Sequence, residues 1–432
     1  MRTIPVLSIF LLGILFSLGF NYLLSYLSGS QHHDIVLHKV FAPIPYDGSD
    51  KYQIPSPAIT TEKHDLQKSS TNIEALGTIS AAIEMKKMGK IDKALKLFEH
   101  AFAIAPHNPD VLNAYGEFIE ETQSDIITAD KMYFKALISY PEHGQALVNR
   151  QRTALVVEEL DRDFLRKIDE KRDQVSSIPE SDPALCKAKK ESYFQHIYHT
   201  VGIEGNSMSL AQTRSIVETR MAIGGKSIAE HNEILGLDLA LKYINNTLVN
   251  RVGDITVADI LEIHKRVLGF ADPLASGMFR RTQVFVGGHI PPTPPHIIPL
   301  MDEFIAWLNS DVALRMHPVR FAAIAHYKLV HIHPFIDGNG RTSRLLMNLI
   351  LMQAGFPPVI IPKHERHTYY QVLEEANRGD IRPFVRFIAQ CTDKTLNLFL
   401  WSTSEYSATL PQLGQDEMHI IAPPTRHAQV HV

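Results

Sequence analysis

The sequence predicts a mainly α-helical chain behind an N-terminal apolar segment, and three observations predict it. A helix-pair pattern recurs at a 35-residue interval, from Ala94 to Ala129. Long stretches of helical periodicity fill residues 183–401, and only 282–289 is rich in β-forming residues. With 432 residues, 45% apolar and 21% charged, the chain has room for two or three globular domains. A formal net charge of −4 argues against a general electrostatic grip on nucleic acid. Cys186 and Cys391 are the only cysteines, which removes a disulfide framework and a thiolate zinc site and predicts two buried free thiols.

After Arg2, the run 3–27 carries no charge and is dominated by Leu, Ile, Phe and Val. Its length is close to the ~20 residues that span a bilayer, whereas a cleaved signal has an apolar region of only about 7–15. Residues 1–30 therefore read as an uncleaved membrane anchor, with Ser28-Gly29-Ser30 as the cut site of the cleaved alternative. Arg2 and the terminal amine are balanced by Lys39 and Lys51, so charge does not orient the segment. Either form most simply delivers the C-terminal bulk to the secretory lumen, where Asn245, in the only N-x-S/T sequon, is a candidate glycosylation site.

Residues 31–71, with Pro43, Pro45, Pro55 and Pro57 and no sustained period, read as a linker. Over 72–141, Ala94, Phe98, Ala101 and Pro106 recur as Ala129, Tyr133, Ala136 and Pro141. Small residues let two helices approach, an aromatic fills the gap and a proline ends the second helix, as in a tetratricopeptide pair. Gly116 takes the small position of the second unit and Ala82 that of the first. Two units are fewer than such arrays need, so they should lean on a helix within 142–182. There Val156, Val157, Leu160, Phe164, Leu165 and Ile168 share a helical spacing. The pair is either a rigid spacer or a docking surface for a partner.

Residues 183–401 read as a second domain, with helices over 182–199, 209–221, 229–245, 256–268, 298–310, 318–331, 341–354 and 368–377. The stretch 282–289 reads as a short hairpin or a strand with a turn, and Pro291, Pro292, Pro294 and Pro295 exclude helix after it. Residues 402–432, rich in Pro, Gln and His, read as a flexible tail that ends without a KDEL-type signal.

The chemistry concentrates in 331–344, His-Ile-His-Pro-Phe-Ile-Asp-Gly-Asn-Gly-Arg-Thr-Ser-Arg, between apolar segments 321–330 and 345–352. Gly338-Asn339-Gly340 ahead of an apolar helix turns the backbone without a Cβ obstruction and aims the first N–H groups at an anion. Arg341 and Arg344 lie three apart, on one helix face, where both reach one polyphosphate. Asp337 suits Mg²⁺, which takes one or two carboxylates plus phosphate oxygens. His333 is the natural general base. These residues predict transfer of a nucleotide or phosphate group to a hydroxyl that His333 deprotonates.

From His333 to Arg344 the stretch fits HPFx[D/E]GNGRxxR at every defined position. On that motif the chain is identified as a member of the Fic family. The order of anchor, two tetratricopeptide units and single Fic domain resembles the family's animal adenylyltransferases. The resemblance implies an all-α Fic domain with a β-hairpin flap, and transfer of AMP from ATP to Ser or Thr hydroxyls of a protein, with Mg²⁺ (or Mn²⁺) as cofactor. It makes His333 the base, Asp337 the metal ligand, and Gly338, Asn339, Gly340, Arg341, Thr342, Ser343 and Arg344 the triphosphate cradle. Val286, Gly287, Gly288 and His289 would touch the nucleotide from a flap that registers the target by strand addition. Asn377, with Tyr370, would hold the adenine end.

Residues 200–206, Thr-Val-Gly-Ile-Glu-Gly-Asn, fit the family's inhibitory motif [S/T]-x-x-x-E-[G/N]-N. A carboxylate at Glu204 beside Arg344 would pair with the guanidinium due to hold the γ-phosphate. The α-phosphate would then sit misaligned for in-line attack. The resemblance also implies that Glu204 orients a water that removes AMP from the target. It implies a homodimer through the Fic domain with Ile228 at the contact, where Ile for Leu preserves packing. The implied partner is the lumenal heat-shock chaperone BiP, docked through the tetratricopeptide units. The implied location is the endoplasmic reticulum membrane, single-pass type II with the catalytic part lumenal. Two other classes compete: a metal-dependent hydrolase with His326, His331, His333 and Asp337 as ligands, and a non-catalytic tetratricopeptide adaptor.

Overall fold

The computed structural model describes residues 65–404, with side chains from 71. The expected anchor, most of the expected linker and the expected tail beyond 404 lie outside the described residues. Among the described residues no helix is long and apolar enough to cross a membrane. Two compact units divide between Arg166 and Lys167.

The first unit holds α1 (Asp65–Lys87), α2 (Ile91–Ile104), α3 (Pro109–Gln123), α4 (Ile126–Ser139) and the start of α5 (Gly144–Ser176). Helix α1 begins inside the stretch read as linker. α1 pairs with α2 and α3 with α4. Asn108 caps α3 by accepting from the Asp110 and Val111 N–H groups, with Pro109 in the first turn, and Asp125 caps α4 from Thr128. The repeated positions Ala94, Phe98, Ala101, Ala129, Tyr133 and Ala136 are all buried. A Cβ on Gly116 would stand 2.6 Å from the Tyr133 ring, so only glycine lets α3 and α4 come this close. The stripe expected along α5 is half realised: Val157 is buried, whereas Val156 and Leu160 are exposed.

The second unit continues through α6 (Pro183–Ile203), α7 (Leu210–Thr219) and α8 (Ile228–Tyr243), which runs into a π turn, Ile244–Leu248. It is completed by α9 (Val257–Leu268), α10 (Ile297–Leu308), α11 (Asp311–Leu314), α12 (Pro318–Ile332), α13 (Asn339–Gln353), α14 (Arg366–Asn377) and α15 (Arg382–Ser402). Asp182 caps α6, and reciprocal capping boxes, Ser209 with Gln212 and Thr256 with Asp259, open α7 and α9. α12 and α13 pack side by side at the centre, with α14 and α15 against α12 and α6, α8 and α9 against α13. Ala322, Ala325, Leu329, Leu345, Leu346 and Leu349 are fully buried there, so the polar stretch between them is held by two core helices.

Some expectations are corrected. The 21-residue helix α15 is absent from the helices read in the sequence. No strand forms at 282–289; one antiparallel bridge, Val286 to His289, closes a Gly287-Gly288 turn with Gly287 at φ +57°. Cys391 is buried, but Cys186 is exposed, because on the first turn of α6 Leu185 takes the inward position. Asn245 is exposed in the π turn.

Candidate active site

His333 ends α12 in the left-handed region (φ 50°, ψ 57°) with its N–H donated to the Leu329 carbonyl. Its Nδ1 lies 3.2 Å from the Val330 carbonyl. A carbonyl only accepts, so Nδ1 carries the proton and Nε2 keeps the lone pair a base needs. Burial, helped by Arg280 and His289 and opposed by the Val330 bond and Glu204, lowers the His333 pKa to about 4. The imidazole is therefore neutral near pH 7 and able to take a proton.

The turn after His333 is clipped by Asn339, whose side chain accepts from the Phe335 N–H at 3.0 Å and donates to the Phe335 carbonyl at 2.9 Å. Gly338 precedes α13 at φ +78°, and a Cβ there would meet His264 Nε2 at 3.2 Å. His264 stacks on Phe335 at 3.6 Å, accepts from the Gly277 N–H at Nδ1 and donates from Nε2 to the Asp337 carbonyl. Asp337 accepts from Arg341 Nη2 at 2.8 Å and leaves 68% of its side chain exposed. Glu233 of α8 stands 3.6 Å from Arg341 on the other side. The Thr342 and Ser343 hydroxyls are buried without a hydrogen-bond partner among the described residues, so neither side chain opens onto solvent.

Arg344 is 1% exposed and Glu204, the C-cap of α6, faces it. Arg344 Nη2 donates to Glu204 Oε1 at 2.5 Å and to the Thr200 carbonyl at 3.1 Å. Nη1 reaches the Tyr369 hydroxyl at 3.3 Å, which in turn meets His326 Nε2 at 3.0 Å. Burial is the largest single influence and opposes the guanidinium charge, but Glu204 and Tyr369 together outweigh it and the net shift is upward. A Cβ on Gly340 would stand 2.5 Å from Glu204 Oε1, so the carboxylate rests directly over the glycine turn at the head of α13. The loop that follows Glu204 is tied to α8: Asn206 Nδ2 donates to the Glu230 carbonyl and to Glu233 Oε2.

Of the flap residues, His289 donates from Nε2 to the His331 carbonyl at 3.0 Å. Gly288 lies against Glu374 of α14, within 3.4 Å of a built Cβ, and Val286 and Gly287 are exposed. Asn377 Oδ1 stands 3.3 Å from His331 Nδ1 at the end of α14, and Tyr370 is 41% exposed on the same helix. Ile228, at the start of α8, is 62% exposed. The structure does not gather His326, His331, His333 and Asp337 as ligands: His326 faces Tyr369, His331 faces Asn377, and no metal-binding group of three or more such residues occurs among the described residues. Asp337 by itself fits Mg²⁺ shared with phosphate oxygens, since its carboxylate is open at the mouth of the turn. Arg280, His264, Tyr369 and Glu233 were not singled out in the sequence. Arg280-Arg281 at the foot of the flap was the one available signal.

Comparison with known proteins agrees with this geometry. The Fic/DOC family profile matches residues 254–351. A protein adenylyltransferase Fic of Culex quinquefasciatus is 62% identical over 349 residues, 81% of this chain and 70% of that protein. The protein of the same name in Drosophila melanogaster is 62% identical over 348 residues, 80% of this chain and 70% of its own length. The solved structure of a Fic-1 fragment from C. elegans superposes with a TM-score of 0.70 at 44% identity, over 76% of this chain and 97% of that one. A helical fold, a glycine turn set between His333 and Arg344, and relatives this similar place the chain in the Fic/DOC family.

Proposed function

We propose that the chain is a protein adenylyltransferase that moves AMP from ATP to a Ser or Thr hydroxyl of a target protein and is restrained by Glu204. The observation that carries the reading is the pairing of the buried Arg344 with Glu204 over Gly340, at the turn that follows a neutral His333 with its Nε2 lone pair available. His333 Nε2 takes the proton of the target hydroxyl, the oxygen bonds to the α-phosphorus, and pyrophosphate departs. The N–H groups at the head of α13, with Arg341 and Arg344, hold the polyphosphate. Asp337 would hold Mg²⁺, which neutralises phosphate charge when bound.

While Arg344 is engaged by Glu204, it is withdrawn from the γ-phosphate and ATP seats without in-line geometry. The same carboxylate orients a water for the reverse removal of AMP. The wider reading keeps the helix pairs α1 to α4 as tetratricopeptide units that dock a lumenal chaperone of the BiP type. It also keeps a homodimer through the Ile228 face, glycosylation at Asn245, and an anchor that sets the catalytic part in the lumen of the endoplasmic reticulum.

The test is intact-mass analysis of such a chaperone after incubation with ATP and the purified chain. An AMP adduct on a Ser or Thr, absent with His333→Ala, is expected. Unmodified chaperone with both the wild-type and the Glu204→Gly chain would overturn the reading.

A further inference from the structure

Arg280 precedes the flap and is 5% exposed, yet no carboxylate faces it among the described residues. Its three guanidinium nitrogens go to three carbonyls in two separate segments. Nε donates to His333 O at 2.7 Å, Nη1 to Thr282 O at 2.9 Å and Nη2 to Pro292 O. Its own N–H donates to Pro334 O at 2.9 Å. Thr282 and Pro292 are the two feet of the flap, and His333 is the base. Burying a cation with no counter-charge is costly, and a lysine, with a point charge in place of a fork, could not span the three acceptors.

Elsewhere the flap is held lightly: by the Val286–His289 bridge, by Gln283 to the Val284 and Pro291 carbonyls, and by His289 to the His331 carbonyl. His333 is a non-glycine residue at positive φ, and Arg280 grips its carbonyl. We infer that Arg280 is the positioning residue for transfer, fixing both feet of the flap to the left-handed backbone of His333 so that target and base share one frame. The inference rests on the AMP-transfer reading. The groups that face His333 are Arg280, His289 and Glu204, together with the Val330 carbonyl.

The experiment uses the full chain with Glu204→Gly as parent, and Arg280→Gln and Arg280→Lys built on it. It measures hydrogen exchange of residues 282–292 and the pH dependence of AMP transfer. Arg280→Gln should raise flap exchange at least about tenfold with the α12 and α13 amides unchanged. It should also lower turnover on the order of 10²-fold, the loss a misplaced reacting group brings. Its acidic limb should move to higher pH, because His333 loses a neighbouring cation. Arg280→Lys keeps the charge and loses the fork: its limb should stay with the parent while flap exchange and turnover still suffer. A merely structural role would not split the two variants in this way.

Unchanged flap exchange in Arg280→Gln overturns the inference whatever the activity. If Arg280→Gln fails to fold, parent-like flap exchange and turnover in Arg280→Lys overturn it. A parent that transfers no AMP while flap exchange responds as expected would sink the AMP-transfer reading and leave the clamp standing.

Discussion

At the residue scale, the site depends on a few backbone positions that admit no ordinary side chain. Gly338 combines φ +78° with a His264 contact, so Gly338→Ala should cost roughly 1–2 kcal/mol of left-handed strain. A lower melting temperature and weaker transfer in the Glu204→Gly background would show it; unchanged values would mean that the turn is looser than drawn. His333 is held at about 4, chiefly by burial. With ATP limiting, kcat/KM reports the free enzyme and should stay level from neutral pH to below 6 before falling toward 4. A half-point near the ordinary histidine value of about 6.5 would contradict the burial of the base. The roles in 331–344 were legible because side-chain types at fixed spacing announce them. The Glu204–Arg344 pair was legible only through the motif at 200–206, since 140 residues separate the partners. Arg280 was marked only by the Arg280-Arg281 pair before the flap, because its partners are carbonyls, and carbonyls leave no mark on a sequence.

At the element scale, α8 and α9 meet backbone to backbone. A Cβ on Gly236 would stand 2.6 Å from Val267 O and 2.7 Å from Arg266 O. Gly236→Ala should therefore destabilise by about 1–3 kcal/mol, seen as a drop in Tm of about 2–4 °C per kcal/mol. A wild-type Tm would show that the two helices can part without loss. Most helices were readable, because period and caps agree: Asp182 before Pro183, Ser209 with Gln212, Thr256 with Asp259. Helix α15, missed in the sequence, buries Phe384, Phe387, Ile388, Cys391, Leu396 and Phe399, and Pro383 stands in its first turn, where a proline is tolerated. The hairpin reading failed for a physical reason. Pro291, Pro292, Pro294 and Pro295 supply no N–H donors for a return strand, so only the turn closes.

At the scale of the molecule, the Fic unit carries an unusual load of buried neutral histidines. Burial holds His196, His264, His331 and His333 at about 4 and His326 well below its ordinary value. With folded values depressed, the unfolded chain binds more protons between about 6.5 and 4. Stability is therefore full above that window and is lost as pH falls through it, by up to about 1.4 kcal/mol per pH unit for each group. Urea midpoints should decline steadily from pH 7 to pH 5, and a flat profile would show that these rings charge in place. The central claim is that Glu204 restrains a competent transferase. It is tested most directly by incubating wild type, Glu204→Gly and Glu204→Gly/His333→Ala with ATP labelled on its α-phosphate and counting label fixed to protein. Low incorporation for wild type, a large rise for Glu204→Gly and none for the double variant are expected. Equal low incorporation in all three would contradict the account.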